Sequence, residues 1–133
     1  MKPRLLDLFC GAGGAAMGYE TELAWAAGFF DGEGYVGVRR DNRPGRNLTL
    51  QIGIEQVDPR PLMRFRSAVG LESPVYARPT RRAPKRQVIH RLVMGHRDTV
   101  TTMQLLWPYL SGPKREQFLR AVKEVDRGKA EVA

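Results

Sequence analysis

Residues 26–34, reading AAGFFDGEG, constrain this chain more than any other stretch. They read as an apolar helix that closes on two acids and a glycine. A carboxylate at a helix C-terminus faces the negative end of the macrodipole, so Glu33 is mildly unfavourable there unless a cation or donor offsets it. Gly34 suits the left-handed cap that stops a helix and turns the chain. The pattern predicts Glu33 as a ligand for a divalent metal, with Asp31 close by. Ala24, Ala27, Gly28 and Asp31 recur at helical spacing, which leaves one helix face nearly bare. A bare face allows a second helix to approach backbone to backbone. Leu23, Trp25, Phe29 and Phe30 carry the bulk on the remaining surface and are expected in the core. Two such helices side by side would bring two copies of Glu33 together, and a metal relieves the repulsion between close carboxylates. Small residues also suit a crowded core helix, so spacing alone leaves both readings open.

At 133 residues the chain makes one small domain with a short appendage, and its core is modest. An exposed interface helix would be a liability for such a core, and dimerisation resolves it. No apolar run reaches the length of a membrane span. The opening apolar patch is broken by Asp7, so no secretory leader is expected. The lone cysteine, Cys10, fits a reducing cytoplasm, bacterial or that of a phage-infected cell. The net charge of +8, from 22 Lys and Arg against 14 Asp and Glu, favours a polyanionic partner. Distribution says more than the sum. Seven basic residues and no acid lie between Ser73 and Arg97, and Arg39, Arg40, Arg43 and Arg46 flank a Pro-Gly turn.

Thr21 is the expected N-cap of a first helix running to about Asp31. A strand over 34–40 and a turn over 42–46 follow. Residues 47–56 alternate cleanly: Leu48, Leu50, Ile52 and Ile54 on one face, Asn47, Thr49, Gln51, Gly53 and Glu55 on the other. The second face is rich in Asn, Thr and Gln, side chains able to read base edges in a major groove. Asp58-Pro59 starts a helix over 59–69, with Leu62, Met63, Phe65 and Val69 inward and Gly70 at its end. A second hairpin, 74–78 and 86–94, encloses a basic loop over 79–85. Asp98 caps a helix through Leu106, and Pro113 opens the last helix, with Phe118, Leu119, Val122 and Val125 inward and a frayed tail from Lys129. His90 is read as a strand residue and His96 as a loop residue. The class is α+β, with order α-β-β-α-β-β-α-α and a four-stranded antiparallel sheet carrying helices on one face.

The nonapeptide and the element order over residues 20–126 resemble the LAGLIDADG homing endonucleases. A single copy of the motif implies, by that resemblance, a homodimer joined through this helix at Ala24, Ala27 and Gly28. The resemblance further implies a saddle-shaped sheet seated on double-stranded DNA and hydrolysis dependent on Mg²⁺ or Mn²⁺. It makes Glu33 the metal acid, and Asp31 a second motif acid tying the paired helix ends. Gln56 takes the place of a water-ordering glutamine. Lys114, or Arg115 after a one-residue shift, matches the basic residue entering the last helix. Readout falls to Arg39, Arg40, Asn47, Thr49, Gln51, Arg78 and Arg91. The family's staggered cuts with short 3′ overhangs and a target of about 20 bp, two half-sites of one helical turn each, follow.

Residues 4–19, RLLDLFCGAGGAAMGY, resemble the first motif of cytosine-5 DNA methyltransferases. An apolar strand feeding a Gly-rich turn suits backbone approach to S-adenosylmethionine. Nothing after Tyr19 supplies the parallel strands or the Pro-Cys nucleophile that such an enzyme needs. The expected division is therefore 1–19, a methyltransferase-like appendage, and 20–133, the endonuclease-like domain. A mobile element, phage-borne or otherwise, fused in phase with a methyltransferase reading frame would produce it. Two other classes stay open: a cleavage-inactive DNA binder, maturase-like or a repressor, and a truncated methyltransferase.

Overall fold

Ile52 and Ile54 are buried at the centre of the molecule, and the strand that carries them organises the rest. The computed structural model describes residues 14–40, 48–79 and 87–132. Along them run α1 (Gly14–Glu33), β1 (Gly34–Arg39), β2 (Thr49–Gln56), α2 (Arg60–Val69), β3 (Val75–Pro79), β4 (Val88–Met94), α3 (His96–Leu106), a 3₁₀ turn (Trp107–Tyr109) and α4 (Gly112–Val132). The strands form one antiparallel sheet in the order β1-β2-β4-β3. This is the α+β arrangement expected from the alternation in β2 and the turn signals around it.

All helices draw on one face of that sheet. Val36, Ile52, Ile54, Leu92 and Met94 project from it into a single cluster with Leu23, Ala26, Ala27 and Phe30 of α1, Leu62, Phe65 and Val69 of α2, and Met103 and Leu106 of α3. Phe65 stands 6.0 Å from Phe29 and 5.9 Å from Phe30, centroid to centroid, and so joins α2 to α1. A smaller cluster of Leu50, Ala121 and Val125 attaches α4 to the far end of β1 and β2. Helix α4 also lies along the outer edge of β1, where Gln117 Oε1 accepts the Val36 N–H at 3.3 Å.

Helix ends follow local chemistry. Asp58 Oδ1 accepts the Arg60 N–H at 2.9 Å at the start of α2, and the Arg60 guanidinium holds the Asp58 carboxyl down at about 2. Gly70, at φ 70°, ends α2 in the left-handed conformation that costs any other residue strain. Several expectations need correction. Thr21 is no N-cap, because the Ala-, Met- and Glu-containing stretch from Gly14 continues the helix upstream of it. Asp98 is not a cap either: α3 starts at His96, and Asp98, inside the first turn, accepts the Ser73 hydroxyl at 2.9 Å. His96, expected in a loop, opens the helix, and its Nδ1 accepts the Leu50 N–H at 3.1 Å, a donor left over where β4 ends. Met63 and Leu119 are exposed rather than inward, each lying one residue off its helix's buried face. Helix α4 continues to Val132, past the expected fraying at Lys129.

Truncating the aromatic hub should be severe. Phe65→Ala is expected to lose about 3–5 kcal/mol, through lost burial and the cavity left behind, read from chemical denaturation midpoints at unchanged slope.

Candidate active site and nucleic-acid face

Helix α1 passes into β1 with no loop between them. The turn is possible because position 34 has no side chain: a β-carbon on Gly34 would overlap the Phe30 ring. Glu33, the last helical residue, is thereby held exposed at the corner. The register pairs Gly34 with Ile54, which carries Gln56 at the end of β2 to the same corner. Gln56 Nε2 donates to Glu33 Oε2 at 3.0 Å.

Lys114 reaches the corner from the first turn of α4. Its Nζ donates to the Gly34 carbonyl at 2.7 Å and to Gln117 Oε1 at 3.2 Å, and lies 5.2 Å from the centre of the Phe30 ring. Burial lowers its pKa below the usual lysine value, and the Asp31 carboxylate opposes that shift. Arg115 is committed elsewhere: Nε and Nη2 donate to the Trp107 carbonyl at 3.1 and 2.7 Å. Of the two basic residues, Lys114 is the one at the site. Gln117 was not anticipated; its place one helical turn after Lys114 was the available signal.

Asp31 lies near the C-terminal end of α1, beside the start of α4. Its carboxylate is engaged within the chain, accepting the Ser111 N–H at 3.2 Å and the Ser111 hydroxyl at 2.9 Å. Ser111 immediately precedes α4, so a negative charge sits at that helix's positive end. The small-residue stripe of α1 is divided between surface and core. Ala24 and Gly28 are exposed, and Gly32 extends their line, but Ala27 is fully buried against the core. A β-carbon on Gly28 or Gly32 would meet nothing within 4 Å.

The strand register sorts the readout candidates. Residues 39, 49, 51, 78 and 91 share the sheet face opposite the helices, since their neighbours Val38, Leu50, Ile52 and Leu92 point into the clusters. Arg39, Thr49 and Arg78 are exposed there, and Gln51 and Arg91 partly so. Arg40 follows β1 and is exposed. Asn47 lies outside the described residues, as do Arg43, Arg46 and the basic residues of 80–86. Tyr35 and Tyr76, at 54% and 56% exposure, stand on the same face and were not anticipated. Gly37 is buried beneath Tyr35, whose hydroxyl occupies the place of a β-carbon there. His90 lies in β4 as expected, its Nδ1 3.0 Å from the Val57 carbonyl.

Residues 20–105 match the family model described as a LAGLIDADG-like domain. The chain belongs to that family. Solved LAGLIDADG structures share the fold. The I-LtrWI LAGLIDADG homing endonuclease bound to target DNA aligns with a TM-score of 0.63 at 18% identity, over 85% of this chain and 40% of that one. The homing endonuclease I-CvuI, in complex with an I-CreI target, gives 0.56 at 17% identity, over 78% and 66%. I-CeuI complexed with DNA gives 0.51 at 14% identity, over 84% and 54%. The chain thus spans from 40% to 66% of the length of these structures. No curated protein matches the sequence. The LAGLIDADG-like match takes in Asp31, Glu33 and Gln56, and ends before Lys114 and Gln117.

Asp31→Ala removes a charged acceptor from the start of α4 and is expected to destabilise the fold by about 2 kcal/mol. Ser111→Ala, which leaves the backbone N–H in place, should cost less. Thermal melts of the two variants side by side measure the difference.

Proposed function

We propose that this chain is a site-specific, metal-dependent endonuclease for double-stranded DNA, acting as a homodimer. The observation that carries the reading is the Glu33–Gln56 pair at the α1–β1 corner, with Lys114 bonded to the adjoining carbonyl. The corner lies between the exposed small stripe of α1 and the polar face of the sheet, where an active site shared by two protomers on DNA belongs. The relatives of similar fold are homing endonucleases, three of them in complexes with DNA.

Two chains meeting along Ala24, Gly28 and Gly32 would bring the two Glu33 side chains towards a common axis. Among the described residues no group of three or more His, Cys, Asp or Glu is assembled within one chain. Glu33 is the residue of each protomer that would hold the ion. Magnesium is commonly bound by one or two carboxylates together with substrate phosphates, and Glu33 is an exposed hard oxygen donor steadied by Gln56. When bound, Mg²⁺ or Mn²⁺ supplies Lewis-acid polarisation of the scissile phosphate. The Gln56 amide fixes the Glu33 carboxylate and orients the attacking water. Lys114 Nζ stabilises the phosphate's charge or moves a proton to the leaving oxygen, and its partial burial lowers its pKa below the usual lysine value, which makes it the better proton donor. The polar sheet face, through Arg39, Thr49, Gln51, Arg78 and Arg91, reads the major groove.

The methyltransferase-like residues 1–19 lead us to infer that the gene invaded a cytosine-5 methyltransferase frame, carried by phage or another mobile element. An uninterrupted frame at that junction is then the natural target. Purified protein should cut a plasmid carrying that frame once, near the codons for DLFCGAGG, in Mg²⁺ and not in EDTA. Glu33→Gln should keep duplex binding and lose cutting; cutting that survives the substitution removes Glu33 from the chemistry. Duplex binding with no cutting by the unaltered chain would favour the binding-only class.

Lys114 gives a pH signature. Its folded pKa is depressed, so the ammonium is present on the acid side and is lost as pH rises through a value below the usual lysine one. Cleavage should therefore fall on the alkaline side earlier than an ordinary lysine would allow. Lys114→Arg, which stays charged, should push that limb to higher pH, as single-turnover rates across pH will show.

A further inference from the structure

Glu55 is an acid in a face whose other described side chains are arginines, tyrosines, Thr49, Gln51 and the apolar Ile89 and Val93. Three strands converge on it. Its cross-strand partner on β4 is Arg91, with Nε 3.9 Å from Glu55 Oε1, and Arg78 of β3 donates Nη2 to the same oxygen at 2.8 Å. Arg91 also lies over Gly53, where a β-carbon would come within 3.4 Å of its Nη2, and its buried Nε makes no hydrogen bond among the described residues. The three side chains are between 37% and 59% exposed, so these pairs add little to stability.

On a surface that meets a polyanion, an unpaired acid is unfavourable. In non-specific binding a duplex meets Arg78 and Arg91 through its phosphates. To take them, the arginines must leave Glu55, and the stranded carboxylate then faces the negative duplex. A G·C pair offers a different exchange in the major groove: guanine O6 and N7 accept from arginine, and cytosine N4 donates to a carboxylate. There both charges find new partners.

We propose that Glu55 is a specificity-determining residue of this face, withholding Arg78 and Arg91 from phosphates and releasing them where a base pair offers acceptors for arginine and an amino donor for the carboxylate. The inference rests on the sheet face binding DNA, and its test separates the two.

Fluorescence anisotropy of the full chain with a mixed-sequence duplex, repeated across salt concentrations, reads both. Glu55→Gln should bind that duplex several-fold tighter, with a log–log salt slope steeper by about 0.9 for each arginine freed to phosphate. Glu55→Asp, which keeps the charge, should stay near the unaltered chain. Arg78→Gln should weaken binding more in the Glu55→Gln background than alone, because only there is the arginine available. In a selection from randomised duplexes, Glu55→Gln should lose preference at one or more G·C positions. Unchanged affinity and slope in folded Glu55→Gln overturns the proposal, as does lost cleavage with unaltered binding, which would put Glu55 in the chemistry. Failure of the unaltered chain to bind any duplex at low salt overturns the DNA-face reading itself.

Discussion

Phe30 and Gly34 share one volume, and the site depends on how they share it. The ring is fully buried, 5.9 Å from Phe65 on α2, and it fills the space that a side chain at position 34 would need. That lets a helix become a strand without a connecting loop and leaves Glu33 at the corner with little freedom to wander. The same ring lies 5.2 Å beneath the Lys114 ammonium, so it meets α4 as well. A cation over an aromatic face recovers part of the solvation lost on burial. One side chain thus sets the mutual positions of the helix end, the first strand and the basic residue.

The opposite face of the sheet is shaped by two glycines. Gly37 lies under Tyr35 and Gly53 under Arg91, so large side chains lie along the strands instead of standing up from them. A surface built this way stays low near its middle and keeps Arg39 and Arg78 exposed.

Much of this was legible in the sequence because it followed from period and punctuation. The alternation from Leu48 to Glu55, the Asp58-Pro59 start, Gly70 and the acid-glycine ending of the first helix gave the element order and the two sheet faces. The motif resemblance supplied Glu33 and Gln56, and the structure brings them within hydrogen-bonding distance. What stayed illegible was which partner a polar side chain would choose. Asp31 bonds Ser111, 80 residues away, and Gln117 reaches Val36 across 81. No local pattern encodes such pairings. Ala27 shows the same limit on the apolar side: spacing groups it with Ala24 and Gly28, but a single helical step turns it from the bare stripe into the core.

Gln117 serves two masters. Its amide oxygen accepts from Lys114 at the α1–β1 corner and from the Val36 N–H on the open edge of β1. Unsatisfied edge donors are templates for pairing with other chains, and proteins hide them. A substitution that loosens the lysine by removing this amide would at the same time uncover the edge. Loss of this one amide would therefore free the Lys114 ammonium and expose the β1 edge together, so protection of the edge and the position of the lysine are coupled.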